Sequence, residues 1–337
     1  MDVVAQAHAT PVHGRTLVFC SVVNEGFVAG FVCMERSLRA NFPAAAEVPI
    51  FVIHDRDRAP LSDESRKIIR DLCTNVEFLE INPDDFSRVF DYAANVLQTP
   101  ERLLPAFYIL QALKLKGFER VICLDSDMII TGSLEELVTL PIDFGAVRAF
   151  DARIGQPRSF VNTGVMVFSD RYLAAFDADS IVSVVAERRP TPGSGKADQA
   201  LINMVFKNDQ IQYLPRRFNY TKREVMVDAA AAGYDLTVDG IKDFLRDNDV
   251  RVLHFIGEKP WNHKVNASER DYEPVERIWW EWFRAHADGD LLFHLHRLRT
   301  TWVDRYVSAI GSIVDRARKR PDLLNRFQRN LEDAMGL

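Results

Sequence analysis

Two aspartates one residue apart, Asp125 and Asp127, close the run Arg120–Leu124 (RVICL) in the stretch LDSDM. A short, almost wholly apolar run reads as a strand covered on both faces. Ligands of open α/β sheets bind outside the C-terminal ends of such strands. Carboxylates at i and i+2 converge on one cation where the strand is just turning out of the sheet. Hard oxygen donors suit Mg²⁺ or Mn²⁺, ions that commonly bridge phosphate oxygens. The bland alternative is a solvated acidic turn, because an Asp-x-Asp pair is frequent by chance. A second segment weighs against it. His254 closes the strand-like RVLHF and is followed by Ile256-Gly257-Glu258-Lys259-Pro260-Trp261. Gly257 permits close backbone approach, and Lys259 supplies a point charge for phosphate. A lone strand-end His is more often structural than a ligand. Two carboxylates plus an imidazole, however, form a mixed oxygen/nitrogen set that tilts the choice toward Mn²⁺.

These residues need a scaffold. The β-branched, apolar TLVFCSVV from Thr16 predicts a first strand, broken by NEG. Phe27, Phe31, Met34 and Leu38 recur at helical spacing and predict a helix from Phe27 to Phe42. VPIFVIH (48–54) and NVEFLEI (75–81) read as strands flanking a helix that Ser62 opens. Helical segments are expected over roughly 85–97 and 104–116, before RVICL. The order β-α-β-α-β-α-α-β is that of an open α/β sheet. After Asp127 the rhythm changes. MII, FGAVRAF, TGVMVF, IQYLP and RVLHFI read as strands, with helices near 179–188, 196–207 and 239–247. One α/β domain over 15–267 and a helical tail over 268–337 follow from this pattern.

Composition narrows the function. The 337-residue chain is 47% hydrophobic and carries a formal net charge of −6, which argues against wholesale nucleic-acid binding. Cys20, Cys33, Cys73 and Cys123 show no metal-ligand spacing and read as buried thiols. No run approaches the ~20 apolar residues of a membrane span. The first residues lack a basic n-region and an apolar h-region, so no secretory signal is expected. The expected location is cytoplasmic.

The motifs, taken in order, resemble glycosyltransferase family 8, the retaining, metal-dependent enzymes that include glycogenin and bacterial lipopolysaccharide glucosyl- and galactosyltransferases. The pieces are SVVNEGF, VICLDSDMII, FVNTGVMVF, ADQALIN, LPRRFN and HFIGEKPW, and together they cover about residues 16–263. The resemblance implies a GT-A nucleotide-sugar-binding fold with an open mixed sheet, a UDP-sugar donor and a saccharide acceptor. By the same resemblance Asp125, Asp127 and His254 hold Mn²⁺ or Mg²⁺, with Asp125 also near the ribose. Ser21, Val23, Asn24 and Phe27 bind uridine, Asn162, Thr163 and Gly164 line the donor sugar, and Asp151 matches a donor-binding Asp upstream of them. Asp198 and Gln199 stand beside the anomeric carbon as the catalytic pair, and Gly257 and Lys259 grip the diphosphate.

Two departures stand out. HFIGEKPW is one residue shorter than the family's HFxGxxKPW, which puts the reach of Lys259 in question. A basic residue expected 16–17 positions before Asp125 is replaced by Tyr108 and Ile109, leaving Arg102 and Lys114 as substitutes.

Two other functions compete: a sugar-1-phosphate nucleotidyltransferase, and a catalytically silent nucleotide-sugar-binding protein. The first usually opens with a Gly-rich, basic phosphate loop, which SVVNEGFVAG lacks. The tail carries IWWEWF within 274–286. It also places Leu295, Leu298, Trp302, Tyr306, Ile310 and Ile313 at helical steps, with Arg316, Arg318, Lys319 and Arg320 beyond. From 291 to 337 there are nine Lys/Arg against five Asp/Glu. Such a helix can lie on an anionic membrane, here the inner face, toward a lipid-linked acceptor. The favoured alternative is packing on the catalytic domain or on a second subunit in a homodimer.

Overall fold

The computed structural model describes residues 11–151, 155–173, 178–206, 210–262 and 272–298. The chain opens with β1 (Leu17–Val22), α1 (Val28–Asn41), β2 (Ile50–His54), α2 (Asp63–Leu72) and β3 (Val76–Glu80). β1 and β2 are buried almost residue by residue, as strands sandwiched between helices must be. α2 starts where the Ser62 hydroxyl accepts the Ser65 N–H, with Asp63 and Glu64 at the positive end of its dipole. α3 (Ser87–Tyr92) follows, within the helical stretch expected over 85–97.

The segment expected as a helix over 104–116 winds instead as tighter 3-10 turns over Glu101–Lys114. Pro105 lies inside it and lacks the N–H that an α-helix would use there. Its burial on nearly every side from Leu104 to Leu113 explains why no amphipathic period marks it.

Next come β4 (Arg120–Leu124), β5 (Met128–Ile130), α4 (Glu135–Thr139), β6 (Phe144–Asp151) and β7 (Gln156–Ser169). α5 (Ala178–Val185), α6 (Asp198–Val205), β8 (Gln212–Leu214), β9 (Tyr220–Thr221) and α7 (Lys222–Ala231) continue the chain. α8 (Val238–Asp247), β10 (Val252–His254) and α9 (Glu273–His286) complete the labelled elements. β7 begins seven residues before TGVMVF, because its polar start pairs with the end of β6 in a hairpin.

Seven strands form one mixed sheet in the order β3-β2-β1-β4-β7-β6-β8. β1 pairs parallel with β2 and β4, and β4 pairs antiparallel with β7. A three-stranded sheet, β5-β10-β9, branches off immediately beyond Asp127. β10 lies antiparallel to β5, with His254 opposite Met128. The hydrophobic core includes Phe51, Phe107, Phe144 and Phe168. All four cysteines are buried free thiols.

Residues 1–287 form one compact unit and 288–337 a second. In the first, α9 packs on α1, α7 and α8, burying Val275, Ile278, Trp279 and Phe283. An aromatic chain links Phe27 to Trp261 (ring centroids 5.8 Å apart), Trp261 to Trp279 (4.9 Å) and Trp279 to Phe283 (5.2 Å). In the second, Asp288 accepts the Leu291 N–H at 2.8 Å, opening a helix described to Leu298. Trp302, Tyr306, Ile310 and Ile313 and the basic cluster from Arg316 lie outside the described residues.

Candidate active site

The end of β4 and the end of β10 meet. Asp125, Asp127 and His254 each offer one ligand atom, and these atoms lie within 4.8 Å of one another. His254 Nε2 stands 3.4 Å from Asp127 and 3.6 Å from Asp125. The backbone holds the cluster in place. The Asp125 N–H donates to Gly164 O at 2.9 Å, and the Phe255 N–H donates to Asp127 O at 2.9 Å. Ser126 Oγ reaches Val22 O at the end of β1. A Cβ on Gly30 would stand 2.6 Å from Ser126 O and 2.4 Å from the Trp261 ring, so only glycine lets α1 come this close.

His254 is oriented by a relay of amides. Its Nδ1 lies 2.8 Å from Asn219 Oδ1, and Asn219 Nδ2 donates to Asn162 Oδ1 at 2.8 Å. With Nδ1 carrying the proton toward Asn219, the Nε2 lone pair faces the two carboxylates, the tautomer a metal ligand requires. Asn162 Oδ1 also accepts the Gly164 N–H at 2.9 Å. A Cβ on Gly164 would come within 2.5 Å of the imidazole, so that glycine makes room for the ring. Asn162 thus serves the ring's support. Asn219 was not among the residues singled out in the sequence. Its signal was the last letter of LPRRFN.

The two carboxylates differ. Asp127 is 4% exposed; burial pushes its pKa up, but Lys259 and His254 outweigh this and hold it below the usual range. The Asp125 side chain is 48% exposed, and its pKa is raised by desolvation and by the charge of Asp127. Lys259 pairs with Asp127 directly and donates to Phe255 O at 3.1 Å. The shortened HFIGEKPW therefore brings Lys259 to the cluster, with Gly257 at φ 80° making the turn. An anionic pair with an inward-facing imidazole fits a divalent cation of the Mn²⁺ or Mg²⁺ kind.

Asp198 opens α6 as its first helical residue, with Ala197 at the N-cap position. Thr163 and the backbone of Asp198 and Gln199 act to lower its pKa. Burial and the charge of Asp125 nevertheless push its pKa up to about 7. Gln199 donates to Ser194 O at 2.9 Å and ties down the preceding loop.

On the β1 side, Val23 is buried and its N–H donates to Ile53 O. Asn24 accepts the Gly26 N–H and caps the turn that presents Phe27. The Lys259 ammonium lies 5.7 Å from the Phe27 ring centre. Ser21 is buried with no partner for its hydroxyl among the described residues. Asp151 stands apart at the β6–β7 hairpin end, paired with Arg158. Of the positions upstream of Asp125, Tyr108 is buried and donates to Asp55 at 2.7 Å. Arg102 is exposed, and Lys114 lies over the Phe86 ring.

Sheet order and site together define an α/β protein of the GT-A type, whose cluster lies at the strand ends. The profile of glycosyl transferase family 8 matches residues 20–265, and the chain belongs to that family. Glycogenin of Neurospora crassa is 28% identical over 204 residues, 59% of this chain and 26% of its own length. Glycosyltransferase GlyB of Streptococcus pneumoniae is 27% identical over 168 residues, 48% of this chain and 37% of its own. The matched stretch thus spans well under half of these relatives. The galactosyltransferase LgtC, solved with donor and acceptor sugar analogues, superposes with a TM-score of 0.56 at 18% identity, covering 82% of this chain and 99% of LgtC. Apo GlyE of Streptococcus pneumoniae gives 0.52 at 17% identity, covering 85% of this chain and 63% of GlyE.

Proposed function

We propose that the chain is a metal-dependent, retaining hexosyltransferase that moves a sugar from a UDP-hexose to a saccharide acceptor. The observation that carries this reading is the Asp125–Asp127–His254 cluster with Lys259 beside it and Asp198 within electrostatic reach. Breaking a sugar–diphosphate bond builds negative charge on the leaving phosphate and positive charge on the sugar ring. A divalent cation held by Asp125, Asp127 and His254 would supply Lewis-acid stabilisation of the diphosphate. Lys259 neutralises the same developing charge from the protein side. Asp198, when ionised, stabilises the cationic ring carbon, and Thr163 orients its carboxylate. Ser21, Val23, Asn24 and Phe27 frame the uridine, and Gly164 lets the His254 ring reach the cluster.

The acceptor in this reading is a saccharide, a lipid-linked one if the basic tail 291–337 lies on an anionic membrane instead of packing on the catalytic domain or on a second subunit. No helix among the described residues is long and apolar enough to cross a membrane. Truncation after Ala287, which leaves α9 in place, followed by co-sedimentation with anionic liposomes at physiological salt, tests the tail. Hydrolysis of a panel of UDP-sugars by purified protein, with and without Mn²⁺, tests the donor. Turnover that ignores both the nucleotide and the metal overturns the reading.

A further inference from the structure

Lys222 is fully buried, although nothing in the chemistry above requires a lysine there. Its ammonium donates to Glu258 O at 2.7 Å and to Glu276 Oε1 at 2.6 Å. Glu258 sits between Gly257, whose φ of 80° turns the chain, and Lys259, which reaches the acidic cluster. Glu276 belongs to α9, beyond the end of the family match at residue 265. Lys222 starts α7, three residues after Asn219, the residue that orients His254. Thr221 and Glu224 lock that start by exchanging side-chain and backbone hydrogen bonds.

From this geometry we infer that Lys222 and Glu276 form a buried clamp that positions the Gly257–Lys259 turn, making α9 a working part of the phosphate grip. Burying an ammonium is costly unless it is paired and hydrogen-bonded, and Glu276 supplies an opposite charge for it. The carbonyl of Glu258 accepts from a rigid donor in place of water, and this fixes the direction in which the Lys259 side chain leaves the backbone. Trp261 closes the same segment from the other side, donating its Nε1–H to Gly26 O at 2.8 Å. The turn is thus held between α7 and α9 on one flank and the β1–α1 loop on the other. Lys222 and Glu276 are positioning residues: they act through Lys259.

The inference rests on the proposed role of Lys259 toward a diphosphate, and the test separates the two. Binding of UDP and of uridine is measured by calorimetry with Mn²⁺ present, for the wild type, Lys259→Ala, Glu276→Gln and the paired Lys222→Met with Glu276→Leu. The paired variant removes both charges and keeps comparable volume, so it carries the test wherever the unpaired charge left by Glu276→Gln costs stability. Expected is a loss of UDP affinity of roughly tenfold or more in Lys259→Ala, in Glu276→Gln and in the paired variant, with uridine affinity unchanged. Adding Glu276→Gln to Lys259→Ala costs no further affinity, because both remove one interaction. A wild type that does not bind UDP, or a Lys259→Ala variant that binds it normally, overturns the donor reading. A weakened Lys259→Ala beside clamp variants that bind UDP as the wild type does overturns the clamp alone. Parallel loss of uridine and UDP affinity in folded clamp variants also overturns it, since that marks a general structural role.

Discussion

The parallel half of the main sheet and the small branching sheet are built on opposite plans. β3, β2, β1 and β4 pair in simple register, and the inner three bury their side chains on both faces. Their stability is area removed from water, spread over many residues. The β5-β10-β9 sheet has strands of only two or three residues and is held at the cluster by polar contacts such as His254 to Asn219. One region gives the two aspartates a fixed platform, and the other brings imidazole and ammonium to meet them. A substitution in the first should cost stability at constant activity, and one among the polar cluster residues of the second activity at nearly constant stability.

The sharpest challenge to this contrast lies where the two regions meet. In the proposed reaction Asp127→Ala is expected to lower Mn²⁺-dependent turnover by roughly three orders of magnitude, because it removes a carboxylate of the candidate metal cluster and the partner of Lys259. Circular dichroism should show an intact fold. Turnover near wild type in metal-saturated buffer would break the assignment.

Asp198→Asn comes next, with a fall of roughly a hundredfold or more in kcat and little change in UDP affinity. Its wild-type carboxyl, with a pKa pushed up to about 7, keeps its proton in the fold at pH values where the unfolded chain has lost it. The stability this group contributes is therefore full below the ordinary carboxylate range and lost as the pH rises toward 7. Thermal melts in metal-free buffer should show Asp198→Asn matching the wild type near pH 4 and exceeding it at pH 8.

A milder effect is expected at Asn219→Ala. Freeing Nδ1 of His254 should weaken Mn²⁺ binding by roughly 10- to 100-fold, read by metal titration, with kcat recovering at saturating metal. The smallest effect belongs to the platform. Ser62→Ala removes the cap of α2 at about 1 kcal/mol, lowering Tm by about 2 °C with kcat/KM unchanged. A larger loss of activity than of stability at Ser62 would blur the contrast.

Legibility in the sequence follows the same division. β1, β2, α2 and β3 could be read because period, cap and breaker lie within a few residues of one another. Asp125, Asp127, His254 and Lys259 were legible as two short motifs. The amide relay Asn162–Asn219–His254 was not, because its members are 35 and 57 residues apart and none carries a charge. Lys222 and Glu276, though charged, were missed because 54 residues separate them. α7 went unread although its Thr-x-x-Glu signature was present, because the sequence around it offers no amphipathic period. The 3-10 winding of Glu101–Lys114 was hidden by its burial, which leaves no polar face to mark a helix.

The ring chain that begins at Phe27 gives the protein an optical reporter of its own. Trp261 and Trp279, with centroids 4.9 Å apart, are close enough for their indole transitions to couple, so the pair should give a distinct near-ultraviolet dichroism band. Trp261 stands edge-on to Phe27 and two residues from Lys259, so whatever settles beside that lysine shifts its surroundings. Site occupancy can therefore be followed from the protein's own light absorption and emission, with no label attached.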